Sequence, residues 1–378
     1  MAITPMDEFM CHQTVKTFDQ AEISDTQFTE RVWFAAYEKA GKFQFGFGMG
    51  KYINRNVMDA SVALVVDGKT QHNVRASRAL FPDIENYKVG PLGYEVVEPL
   101  HRVRVTVEEH EQAGFTCDIC FIGETEVYQQ TPAMYRMRRG RVVNHMIRYF
   151  QTGSVEGWIE IDGQRHEVRR QDWWASRDRS WGQRSNTGEY TSAEGKTRTL
   201  MGGFEQAGEG IPFRWNYFTM QFADWNTSFE FAQTPDNEPL GPALGHLQHA
   251  RHTGKADQKI VNVDLDWTFI EGTKRVKGIR AMVRLDDGSE RELVMEPFST
   301  LYRRPGAGTY GGWNEWTQGV WMGPLAVEGE SMTLEGDAFL HELHFTDDLA
   351  MRITCDGKEQ GWGLAEPLIP GIGELFVT

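Results

Sequence analysis

The sequence predicts a mostly β protein made of two antiparallel barrels related by internal duplication. Three observations carry that expectation: short runs rich in Val, Ile and aromatic residues, Asp-Gly pairs closing several of those runs, and tryptophan landmarks that recur at a nearly constant separation.

The runs are SVALVVDGK (61–69), HRVRVTVEEH (101–110), FTCDICFIG (115–123), GWIEIDGQRHEV (157–168), QKIVNVDLDWTFI (258–270) and IRAMVRLDDGSERELVMEP (279–297). Most alternate polar and apolar residues, as half-buried antiparallel strands do. Asp67-Gly68, Asp162-Gly163, Asp287-Gly288 and Asp356-Gly357 sit where tight hairpin turns are needed. Both central residues of a type I′ turn have positive φ, which this pair tolerates. FQFGFGMGKY (43–52) carries G-x-G-x-G at 46–50 without the βαβ setting of a nucleotide loop, and reads as glycine easing strand curvature. Helical periodicity is expected only in TPAMYRMRRGRVVNHMIRYF (131–150), where Gly140 interrupts it.

Trp33 and Trp215 lie 182 residues apart, and the Trp-Gly pairs at 181 and 362 lie 181 apart. Two landmarks keeping one separation imply a repeat whose junction falls in the Gly-, Ser- and Thr-rich stretch 185–210. The expected domains are 1–195 and 196–378. Closed barrels suit two β domains of this size because closure removes sheet edges.

A Trp-led first strand, serial Asp-Gly hairpins and a domain ending in Asp178-Arg179-Ser180-Trp181-Gly182 resemble the AttH / carotenoid 1,2-hydratase family. The arrangement is also similar to the fungal lipocalin-like Diels–Alderases. The resemblance implies two lipocalin-like barrels side by side, and hydration, cyclisation or isomerisation of apolar molecules. It is specific at 173–184, weaker at 361–366, and brings no invariant catalytic set onto these positions.

Charge narrows the partners. Against 39 Lys and Arg stand 54 Asp and Glu, a formal net of −15, which opposes nucleic acid or an anionic membrane as the main partner. No secretory signal and no long apolar span are expected, so the reading is a cytoplasmic protein without stable membrane insertion, with a homodimer left open. Four cysteines make no disulfide framework. Cys117 and Cys120 form a C-x-x-C on a strand, where residues three apart face opposite ways. No Rossmann, Walker, nucleophile-elbow or H-E-x-x-H motif occurs, so no cofactor and no metal are expected. His246, His249 and His252, and His341 with His344, have helical metal-ligand spacing, but the glycines around the first set and the strand-like run around the second favour hydrogen-bonded histidines.

Function concentrates in WWASRDRSWGQR (173–184), where turn-forming Ser176, Asp178, Ser180 and Gly182 predict a loop across a barrel mouth. Asp178 between Arg177 and Arg179 can clamp that loop or touch a ligand. The candidate acids and bases are Asp178, Glu315, Asp224 and His145. The candidate oxygen-binding donors are Tyr149, Arg177, Arg184 and Tyr217, and the candidate cavity walls are Trp174, Trp181, Trp215, Trp313 and Trp316. An apolar cavity with a few fixed acids suits carbocation or enol chemistry, because aromatic faces stabilise developing positive charge and a desolvated carboxyl moves protons. The expected function is a cofactor-independent lyase, hydratase, cyclase or isomerase for a bulky hydrophobic molecule, terpenoid, steroid-like or multi-ring aromatic, lignin-derived compounds among the last. The alternative is a carrier of such a ligand.

Overall fold

The computed structural model describes residues 14–130, 133–138, 140–184, 187, 190–191, 197–198, 214–234, 238–271, 273, 275–307, 312–336, 339–340, 343 and 347–368. The strands of the first half are β1 (Phe28–Glu38), β2 (Phe43–Tyr52), β3 (Val57–Val66), β4 (Thr70–Ala79), β5 (Lys88–Val89), β6 (Leu92–Glu98), β7 (Arg102–Val107), β8 (Phe115–Gly123), β9 (Tyr128–Gln129), β10 (Met134–Arg138), β11 (Arg141–Ile161), β12 (Gln164–Val168) and β13 (Trp173–Arg184). A small hairpin, β14 (Tyr190–Thr191) and β15 (Thr197–Arg198), follows. The second half contributes β16 (Arg214–Gln221), β17 (Trp225–Gln233), β18 (Leu244–His249), β19 (Gln258–Phe269), β20 (Val276–Leu285), β21 (Glu290–Tyr302), β22 (Leu325–Thr333), β23 (Asp347–Cys355) and β24 (Glu359–Leu368). A short helix, α1 (Arg303–Ala307), follows β21.

These strands form two tandem lipocalin-like barrels. The second is closed, in the order β16-β17-β18-β19-β20-β21-β23-β24, with β24 returning to β16. The first is a nearly closed sheet running β22-β4-β3-β2-β1-β13-β11-β8-β7-β6-β5. Arg78 on β4 bridges the gap by donating to the carbonyls of Asn86 (2.6 Å) and Lys88 (2.9 Å). β22 is drawn from the second half, yet it pairs along β4 from Leu325–Arg78 to Thr333–Thr70. In both halves the first strand pairs antiparallel with the last, β1 with β13 and β16 with β24. The tryptophan landmarks, however, sit at different levels. Trp181 pairs with Glu30 near the start of β1, whereas Trp362 pairs with Gln221 at the end of β16.

Each barrel is filled by its inward-facing residues. Phe34, Phe45, Phe47, Ile119 and Phe121 form part of the first core, and Phe218, Phe229, Leu265, Met295 and Ile353 part of the second. The barrels meet along the outer face of β1, β2 and β13. There Tyr37 stacks on Trp174 (5.1 Å between ring centres), with Ala35, Ala350, Leu364, Phe298 and Trp362 around them. The stack adds about 1 kcal/mol beyond its buried area. Tyr37 also donates from its hydroxyl to the carbonyls of Met351 (3.1 Å) and Gly363 (2.9 Å), and Gln44 to that of Asp348 (2.8 Å). Gly46 and Gly48 on β2 leave the room that the Trp33 indole occupies, since a Cβ at either would lie about 3 Å from its ring.

Two expectations need correction. Residues 131–150 are not helical where described: β10 and β11 form a hairpin turning at Gly140 (φ 76°). Residues 173–184 are not a loop across a mouth but a strand in mid-sheet, paired with β1 on one side and β11 on the other. The six runs named above are strands, and Cys117 is buried while Cys120 is half-buried on β8. The glycine-rich junction falls largely outside the described residues, as do His341 and His344. Among the described residues no helix is long and apolar enough to cross a membrane.

Candidate functional site

Because β13 alternates its side chains, the segment 173–184 serves two places. Trp173, Ala175, Arg177, Arg179 and Trp181 share the face turned into the first barrel, and Trp174, Ser176, Asp178 and Ser180 the face turned to the second.

On the second face, Asp178 lies in register between Trp33 on β1 and Phe150 on β11. Opposite, the second barrel presents Tyr217 on β16, flanked in register by Glu230 on β17 and Glu366 on β24. Asp348 of β23 accepts a hydrogen bond from the Trp33 indole (3.1 Å). Arg303 pairs with both Asp348 (3.5 Å) and Glu366 (2.6 Å), its guanidinium 4.1 Å from the Trp33 ring centre. Arg148 stands 3.6 Å from Glu230 Oε2, and Gln130 donates to Oε1 of the same carboxyl.

The junction therefore encloses four carboxyls, Asp178, Glu230, Asp348 and Glu366, against Arg148 and Arg303, with Arg184 acting on Asp178 from the strand end. Carboxyls crowded in a poorly hydrated space cannot all ionise. Burial raises Asp178 above the usual carboxylate range and the charge of Glu366 adds to it, while Arg148, Arg303 and Arg184 oppose. No donor reaches Asp178 among the described residues, and its side chain keeps some contact with solvent. Burial likewise raises Glu230, helped by Asp178 and Glu366 and opposed by Arg148. Asp348 is pushed far up by burial, and Tyr217 stays protonated for the same reason. A recess lined by Tyr128, Gln130, Phe150, Tyr217, Ser228, Phe229 and Glu230 opens beside this cluster, with room for about one water.

On the other face of β13, Arg177 is 5% exposed inside the first barrel and donates twice to Gln151 Oε1 (2.8 and 2.7 Å). Its guanidinium lies over Phe121 and Tyr149, and Trp181 meets Tyr149 edge-on (6.4 Å).

The structure thus brings Asp178, Tyr217 and Arg184 toward one place and Arg177, Tyr149 and Trp181 toward another. The other candidates lie apart. His145 is exposed against Tyr135, and Asp224 is exposed and paired with His252 (3.1 Å). Glu315 is exposed at positive φ in the turn between Trp313 and Trp316. The indoles of Trp313 and Trp316 donate to Glu330 and Glu328 on β22 (2.9 Å each). Trp174 packs in the barrel junction, and Trp215 shares the outer face of β16 with Tyr217. His246 stacks on Tyr128, and burial lowers its pKa to about 4; His249 contacts Gln258 instead, so the three histidines have separate partners. Glu230, Glu366, Asp348 and Arg303 escaped the sequence reading, whereas Arg148 stands with His145 and Tyr149 among the polar groups in the aromatic run 144–153. The one signal was Glu230, an acid set between Phe229 and Phe231.

The profile of DUF8625, described as a family of unknown function, matches residues 3–374. No curated protein matches the sequence. Among solved structures, the fold is similar to that of an AttH protein from Nitrosomonas europaea (TM-score 0.55, 16% identity, 90% of this chain and 92% of that one). It is also similar to kievitone hydratase from Nectria haematococca (0.49, 13%, 90% and 89%) and to CghA crystallised with Sch210972 (0.48, 10%, 92% and 90%). At these identities the likeness is one of fold, and it agrees with the resemblance to two-barrel AttH-type proteins.

Proposed function

The chain belongs to DUF8625, a family of unknown function, and from its site we propose a cofactor-independent acid–base enzyme of hydratase, lyase, cyclase or isomerase type, acting on a bulky hydrophobic molecule. One observation carries the reading: four junction carboxyls against two arginines, with Asp178 and Glu230 raised, beside a recess walled by Phe150 and Tyr217. A carboxyl whose pKa is raised by burial holds a proton it can give to an alkene carbon or a leaving hydroxyl. The aromatic faces stabilise the resulting cation, and the Tyr217 hydroxyl holds a substrate oxygen. In hydration, the proton moves from Glu230 to carbon, water adds at the adjacent carbon, and the proton that water sheds returns to the carboxylate. The recess admits a water but not a bulky substrate, so binding one requires part of this lining to be displaced.

The test is turnover of terpenoid and multi-ring aromatic alkenes and tertiary alcohols in deuterated, ¹⁸O-labelled water, read by mass spectrometry. The wild-type protein is expected to place label in at least one compound. Glu230→Gln and Asp178→Asn lower that rate by about 10²–10⁴-fold while binding, followed by aromatic fluorescence, persists. Full activity in both variants overturns the acid assignment. Binding across the panel with no label placed by the wild type identifies a carrier.

A further inference from the structure

The interior face of β13 carries an unbalanced charge that the junction chemistry does not use. Arg177 is buried, and its partners are the Gln151 carbonyl oxygen, the Tyr94 hydroxyl and two aromatic faces. No carboxylate pairs with it among the described residues. A buried guanidinium without a counter-charge is costly unless something supplies one. Towards solvent, Arg179 pairs with Glu30 (2.9 Å), each about one-third exposed, and Lys51 lies opposite Glu30 in register. Glu85 and Tyr87 also act on this group, and Tyr149 and Tyr94 on Arg179. Arg179 and Lys51 thus have Glu30 and Glu85 as counter-charges, whereas Arg177 has no carboxylate partner among the described residues. Arg177 is also more deeply buried than Arg179, in a chain whose formal charge is −15. Tyr149 and Tyr94 stand beside it, Trp181 meets Tyr149 edge-on further along β13, and Tyr94 is backed by Phe47 (6.3 Å between rings).

We propose that the mouth of the first barrel is a second ligand site, taking a flat aromatic monocarboxylate whose carboxylate meets Arg177 and whose ring lies among Tyr94, Tyr149 and Trp181. A planar guanidinium suits a carboxylate through two parallel N–H donors, and the walls suit a ring. A single buried guanidinium favours a monoanion. A phosphate dianion brings a second charge against Glu30 and Glu85. This site lies on the opposite face of β13 from the carboxyl cluster and does not depend on the activity proposed there.

The experiment titrates the full chain with 2-naphthoate, its neutral amide 2-naphthamide, and 2-naphthyl phosphate, by calorimetry and by quenching of tryptophan fluorescence. Naphthoate is expected to bind at least tenfold more tightly than either of the others. Arg177→Met is expected to lose that preference, Arg177→Lys to recover part of it, and Trp181→Phe to keep calorimetric binding while losing most of the quench. Equal binding of naphthoate and naphthamide to the wild-type protein overturns the proposal, even if the Arg177 variants fail to fold. So does tighter binding of the phosphate, or a folded Arg177→Met that still prefers the carboxylate.

Discussion

Replacing Asp178 by Asn tests the carboxyl cluster through stability alone, with no substrate needed. Asp178 is raised in the folded protein above the value near 3.9 that a solvated aspartate has in the unfolded chain. Between those two values the folded protein holds a proton that the unfolded chain has released. Stability therefore falls as pH rises, by at most about 1.4 kcal/mol per pH unit for each such group. The favourable contribution is complete below about pH 4 and is lost as pH climbs through the folded value. Asp178, Glu230 and Asp348 all act in this direction, so together their slope is at most about 4 kcal/mol per pH unit. Asparagine has no proton to lose, so Asp178→Asn removes one of the three contributions. At a pH well below 4, where both side chains are neutral and nearly isosteric, the two proteins are expected to agree within about 0.5 kcal/mol. From about pH 4 up to the folded value the variant gains on the wild type, at no more than about 1.4 kcal/mol per pH unit, and above it the gap is constant. Urea unfolding at half-unit pH steps measures the gap. A gap that stays constant over the whole pH range refutes the argument. So does a variant that loses ground as pH rises, which means Arg148, Arg303 and Arg184 outweigh burial and hold the carboxylate ionised.

Two further variants probe the frame. Arg75, 1% exposed, holds Glu328 (2.6 Å) and Glu330 (3.0 Å) of β22 and the Pro305 carbonyl, so Arg75→Met should cost about 2–3 kcal/mol. That is below the cost of a fully buried pair because both carboxylates reach solvent, and amide exchange across 325–333 should quicken; unchanged exchange there contradicts the clamp. Gly182, at φ 129°, would place a Cβ 2.1 Å from the His145 carbonyl oxygen, so Gly182→Ala should cost more than about 2 kcal/mol in urea unfolding, and a variant of wild-type stability would show that β11 yields easily.

Local chemistry was legible in the sequence wherever one strand or turn decides it. At Asp67-Gly68, Asp162-Gly163 and Asp356-Gly357 both residues have positive φ, whereas at the fourth pair only Gly288 does. What the sequence hid was burial by the other barrel. β11 has apolar residues on both faces because its middle is covered on both, and that two-sided pattern imitates a helical period over 141–150. Ser176, Asp178 and Ser180 resemble turn formers until the second barrel is seen to cover that face of β13. Glu230 obeys the alternation of its own strand, pointing out of the second barrel, and is 2% exposed because the first barrel lies there. The acids that make the junction site are thus outward-facing residues of one barrel that the other has covered.

The borrowed strand β22 has a consequence for biosynthesis. On a ribosome the first barrel emerges early, but the edge of β4 stays unpaired until six strands of the second barrel, β16 to β21, have been made. A nascent protein with an open edge is prone to pair with a neighbour. β4 carries Gln71, Asn73, Arg75 and Ser77 along one face, with a charge at its centre that discourages a foreign strand and later becomes the anchor for Glu328 and Glu330. The residue that guards the waiting edge is also the one that recognises the strand meant to fill it.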